Sequence, residues 1–166
     1  KIQTAIAGTK AEIANYNCPG QIVITGPKPA VEEASVKLKE AGARRVLSLA
    51  VSGPFHSSLL QNAGKELEKE LSKVELSGLK IPYVTNVTAQ YVTDIRETKD
   101  LLARQISSSV LWQQSVENMI RQGVDTFIEI GPGRTLAGFM RKIDRNVKVY
   151  NIQTVEDAEK VCRELV

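Results

Sequence analysis

Val124-Asp125-Thr126-Phe127-Ile128-Glu129-Ile130-Gly131-Pro132-Gly133-Arg134 reads as a strong strand that stops at a glycine-rich turn. The turn leads into a helix over about 135–143, a short strand over 147–152 and a closing helix from about 155. Strands alternating with helices at this spacing predict a parallel layer, so the fold class is α/β. The turn itself has two readings. Its glycines and free N–H groups at a helix start suit an anion, yet it lacks GxxxxGK[ST] and GxGxxG, and Pro132 removes a donor. A plain strand-to-helix turn is the other reading.

Upstream, 98–106 and 113–122 read as helices separated by a serine-rich turn, and 81–87 as a strand whose Pro82 suits an edge or an entry. A long helix is predicted from just after His56 to about residue 74, with Leu60, Ala63, Leu67 and Leu71 at helical spacing. Its charges at Lys65, Glu66, Glu68, Lys69, Glu70 and Lys73 read as a solvated face. At the front, 1–8 reads as a helix end, 11–17 and 21–25 as strands of a hairpin, and 45–51 as a further strand. Between them a helix from Pro29 carries Val31, Ala34, Leu38 and Ala41 on one face and closes at Gly42. Strand, strand, helix, strand is what remains of a ferredoxin-like unit without its first strand and most of its first helix.

The chain's single histidine lies in Val51-Ser52-Gly53-Pro54-Phe55-His56-Ser57-Ser58-Leu59. Gly53 and Pro54 force a turn, and Ser57 or Ser58 is placed to cap the first helical turn. A helix N-terminus favours a neutral imidazole, which can act as a general base; a structural or surface histidine is the other reading. Asn15 and Asn17 fall on one side of their strand, as cleft residues or as turn-approach residues bonding to backbone.

Composition narrows the classes. The 166 residues are 42% hydrophobic and 25% charged, ordinary for a folded domain with one real core. No apolar run is long enough for a membrane span and no leader is evident, so a cytoplasmic location is expected. Cys18 and Cys162 belong to no CxxC or Cys/His pattern, so reduced thiols are expected and no metal. The net charge of +3 is spread too evenly to suggest nucleic acid.

Gly53-Pro54-Phe55-His56-Ser57, with Asn15-Tyr16-Asn17-Cys18-Pro19-Gly20-Gln21 before it and Phe127-Ile128-Glu129-Ile130-Gly131-Pro132-Gly133 after it, resembles the bacterial malonyl-CoA:acyl-carrier-protein transacylases of fatty acid synthesis. The resemblance covers essentially the whole chain but only the C-terminal half of such an enzyme. It implies part of an α/β-hydrolase-like acyltransferase layer over 53–166, joined to a truncated ferredoxin-like small subdomain over 1–52. It also implies that His56 is the catalytic base, oriented by the backbone carbonyl of Gln105, whose side chain alone would read as an ordinary surface glutamine. Asn17 and Gln21 are implied to border the acyl cleft, and Phe55 to shape the acyl pocket rather than simply pack in the core. Arg44 and Arg45 either meet an acidic carrier protein or are solvated.

The implied substrates are malonyl-CoA and acyl carrier protein, with no cofactor and a ping-pong transfer through a serine ester. That serine would sit in G-x-S-x-G, a pattern absent from these residues; Ser52, between Val51 and Gly53, does not match it. The nucleophile, the family's Gly-Gln-Gly oxyanion segment and the arginine for the malonyl carboxylate are expected in a missing N-terminal half. Two rival readings stay open: a non-catalytic module that docks a carrier protein, and half of an unrelated hydrolase.

Overall fold

The structure, a computed structural model, describes residues 1–51 and 53–165; Ser52 lies outside the described residues. A short helix α1 (Ile2–Ala5) leads to the hairpin of β1 (Glu12–Cys18) and β2 (Gln21–Thr25), paired antiparallel with two register irregularities in β1. The hairpin turns at Gly20, whose φ of 78° is cheap only for glycine. Helix α2 (Lys28–Glu40) follows, with Pro29 in its first turn, where a missing N–H costs nothing. Ala30, Ala34 and Leu38 form its buried face. Ala34 and Leu38 close a core with Ile6, Ala11 and Ile13, and this core holds α2 and α1 on the hairpin.

Residues 45–51 form no strand, contrary to the sequence reading. Only Val46 packs against the core, while Leu47, Leu49 and Val51 are 61%, 58% and 66% exposed. Alternating apolar residues become a strand only when a neighbour supplies the hydrogen-bond ladder, and no described strand lies alongside.

Beyond His56 a single 3-10 turn (Ser58–Leu60) opens into α3 (Gln61–Ser72). The next regular structure is a small hairpin, β3 (Tyr83–Val84) with β4 (Tyr91–Val92). The predicted strand over 81–87 is thus two paired residues, and β4 has no counterpart in the sequence reading. Helix α4 (Thr98–Gln105) and helix α5 (Trp112–Arg121) follow close to their expected bounds. Between them Val110 pairs with β1: its N–H donates to the Ala14 carbonyl at 2.7 Å and its carbonyl accepts from Tyr16 N at 2.9 Å.

The last part is a β-α-β unit, as expected. Strands β5 (Thr126–Ile130) and β6 (Lys148–Ile152) are parallel and in continuous register, joined by α6 (Thr135–Ile143) and followed by α7 (Val155–Leu165). Thr154 and Asp157 cap α7 reciprocally, with the Asp157 carboxylate accepting from Gln153 N and Thr154 N and Thr154 Oγ1 accepting from Asp157 N. Those backbone donors hold the Asp157 carboxyl below the usual carboxylate range. No helix among the described residues is long and apolar enough to cross a membrane.

Candidate active site

His56 has φ 58°, a left-handed conformation that non-glycine residues seldom adopt and that histidine tolerates better than most. Ser57 then runs extended at φ −134° and ψ 165°, and the 3-10 turn begins at Ser58. The expected serine cap takes another form here. Ser57 is fully buried, and its hydroxyl donates back to the Pro54 carbonyl at 2.6 Å, so it closes the turn around His56 instead of capping the helix.

The imidazole reaches across to α4. His56 Nδ1 lies 3.0 Å from the backbone carbonyl oxygen of Gln105. A carbonyl only accepts, so Nδ1 donates this bond and Nε2 is the ring nitrogen it leaves uncommitted. The carbonyl is free to accept because it belongs to the last turn of α4, where carbonyls have no intrahelical partner and the helix dipole is negative.

Gly64 allows this approach. A Cβ built there would stand 2.9 Å from the Ala103 carbonyl oxygen, so α3 and α4 pack backbone to backbone. His56 precedes α3 and Gln105 ends α4, which makes that packing the frame of the pair. A small cleft of about 180 Å³ opens beside Gln105, lined also by Tyr83, Thr85 and Asn86. The sequence reading did not single out Asn86, which no motif marks; the structure sets it in the cleft beside Gln105, with its carbonyl accepting from Leu111 N at 2.9 Å.

The other expected residues are more dispersed. Phe55 is 57% exposed, so its ring is not packed in the core. Asn17 is half-buried on β1. Gln21 Oε1 accepts from Lys142 Nζ at 3.2 Å, which ties it to α6 at the turn end of the hairpin, away from Glu12, whose carboxylate meets Ser58. Arg44 and Arg45 are exposed on the irregular segment after α2.

The glycine-rich turn after β5 is filled largely by the chain's own side chains. Several of its donors are already taken: the Glu129 carboxylate accepts from Leu136 N and Ala137 N at 3.0 and 2.9 Å, Gln153 Oε1 accepts from Gly133 N at 2.9 Å, and the Ile152 carbonyl accepts from Gly131 N at 2.9 Å. Asn151 Nδ2 adds a bond to the Gly133 carbonyl at 2.9 Å. These bonds favour the reading as a strand-to-helix turn, and Glu129, unremarked in the sequence, makes two of them. Of the two cysteines, Cys18 is buried with its thiol pushed up by desolvation, and Cys162 is exposed on α7.

Residues 5–161 match the acyl transferase domain family, and the chain belongs to it. Among its relatives is the malonyl CoA-acyl carrier protein transacylase of Staphylococcus aureus, 47% identical over 148 residues, which are 89% of this chain and 48% of that protein. The protein of the same name from Bacillus subtilis is 40% identical over 158 residues, 95% of this chain and 50% of that one. The solved transacylase from Clostridium perfringens superposes with a TM-score of 0.90 at 42% identity, covering 99% of this chain and 52% of that one. A malonyl-transacylase solved with a type II polyketide acyl-carrier protein superposes with a TM-score of 0.94 at 34% identity, covering 98% and 54%. The chain thus spans about half the length of the curated relatives it matches.

Proposed function

We propose that these residues are the C-terminal half of a malonyl-CoA:acyl-carrier-protein transacylase, with His56 as its general base. The observation that carries the reading is the bond from His56 Nδ1–H to the Gln105 carbonyl, which leaves Nε2 as the ring nitrogen able to accept a proton. In the complete enzyme Nε2 takes the proton of a serine hydroxyl as that oxygen attacks the malonyl thioester carbon. The C–S bond breaks, coenzyme A leaves as the thiol with the same proton, and a malonyl ester remains. The phosphopantetheine thiol of the carrier protein reverses these steps. Residues 1–52 are assigned to a partial ferredoxin-like small subdomain, without the strand expected over 45–51, and 53–166 to the C-terminal part of the large acyltransferase subdomain. Phe55, Asn17 and Gln21 are assigned to the acyl cleft, and Arg44 and Arg45 to the carrier-protein face.

Exposed apolar residues support the same reading. Ile130 on β5 is 78% exposed and Phe55 is 57% exposed, surfaces that the rest of an α/β layer would cover. The absence of G-x-S-x-G in these residues favours the rival, a carrier-docking module without catalysis. Intact mass of the natural protein, before and after brief exposure to malonyl-CoA, separates the two. A mass near twice that of this chain with one malonyl adduct supports the transacylase; a mass equal to the 18.2 kDa of these residues with no adduct supports the docking module.

A further expectation concerns Gln105. Because the acceptor is main-chain, Gln105→Ala in the full-length enzyme should change turnover by no more than about threefold, the scale of a substitution that removes no structural contact. A loss of a hundredfold or more would mean that the amide itself takes part.

A further inference from the structure

His56 sits in a turn without helical or sheet hydrogen bonds of its own, so what fixes the turn fixes the imidazole. One contact comes from 46 residues away. Glu12, the first residue of β1, accepts from Ser58 N with both carboxylate oxygens, at 3.1 and 3.2 Å, and from the Ser58 hydroxyl at 2.5 Å. Ser58 is the residue at which the left-handed and extended pair His56-Ser57 gives way to the 3-10 turn. The carboxylate thus holds the exit of the turn, while Ser57 Oγ on Pro54 holds its entry. Charge-assisted bonds of this kind are shorter and stronger than neutral ones.

We propose that Glu12 is a positioning residue for His56: by clamping Ser58 to the start of β1, its carboxylate keeps Nδ1–H on the Gln105 carbonyl and so sets the direction of Nε2. The kinetic consequence rests on the reading of His56 as general base; the positional one does not. The clamp also makes the placement of the hairpin part of the active-site geometry, because β1 carries Glu12 at one end and Asn17 near the other.

Two substitutions cut the clamp from opposite sides in the full-length protein. Glu12→Ala removes the acceptor. Ser58→Pro removes both donors at a first helical position, where proline is tolerated, after a residue whose extended conformation already suits a following proline. Each is expected to lower kcat for malonyl transfer about five- to tenfold with KM within about twofold, the scale of losing a capping contact. The double variant should be no worse than either single one, and Glu12→Gln, which keeps an acceptor, should recover most of the loss.

The second readout needs no catalysis. The imidazole ¹⁵N signals of His56, assigned by their disappearance in His56→Asn, should show a protonated Nδ1 whose exchange with solvent quickens about five- to tenfold in both variants, in proportion to the lost anchoring. If exchange at Nδ1 is unchanged in Ser58→Pro and in Glu12→Ala, or if the two losses in kcat simply multiply, the positioning role is overturned. If His56→Asn itself keeps full transfer, the general-base reading is what fails, and the exchange measurement still decides the role of Glu12.

Discussion

His56→Asn in the full-length protein is expected to lower malonyl transfer by about 10²–10⁴, the usual contribution of a positioned general base, with little change in melting temperature. Asparagine suits the substitution for two reasons. It accepts the left-handed backbone at φ 58° more readily than alanine or valine does, and its side-chain amide can donate to the Gln105 carbonyl in place of Nδ1–H. What it lacks is a basic nitrogen where Nε2 stands. Rate and stability are therefore separated, and the rate loss is attributable to proton transfer. Steady-state transfer from malonyl-CoA, with thermal melting of the same sample, checks it. Activity within tenfold of the parent would show that His56 is a structural residue of the turn.

The second large effect is mechanical. Gly64→Val places a branched side chain where even a Cβ stands 2.9 Å from the Ala103 carbonyl oxygen, so α3 must move off α4. Overpacking of this kind costs about 1–3 kcal/mol, and the helix propensities of glycine and valine are too close to offset it. A carbonyl in a helix cannot swing aside as a side-chain end can. Because His56 and Gln105 lie at the adjoining ends of these helices, turnover should fall together with stability. Gly138→Val is the control: that glycine is exposed on α6 with nothing within 4 Å of a built Cβ, so it should melt close to the parent. Equal losses from the two substitutions, read by thermal melting, would mean that the close helix approach does not frame the site.

Much of this arrangement was legible because it is local. Periodicity placed α2, α4, α5 and α6 within a residue or two, since each buries one face and ends at a glycine, a turn or a cap. The β5-α6-β6 unit followed from strand and helix spacing alone. The misses were of a different kind. Leu47, Leu49 and Val51 alternate as a strand does, but no described neighbour offers a ladder. The two-residue strand at Tyr91 is too short to leave a pattern, and it exists because Tyr83 and Val84 pair with it.

The candidate site divides in the same way. Sequence alone set His56 in a Gly-Pro turn before a helix, and resemblance supplied Gln105 as its partner. Only tertiary structure decided that the acceptor is within 3.0 Å, because that distance depends on Gly64 letting two helices touch. Only tertiary structure turned Glu12 and Glu129 from ordinary carboxylates into clamps: one reaches a turn 46 residues away, and the other takes two N–H groups at the helix start after the glycine turn. Hydrophobic period and turn chemistry are written along the chain and can be read from it. Which acceptor meets which donor across the fold is settled by how the helices and hairpin pack, and no short stretch of residues encodes that.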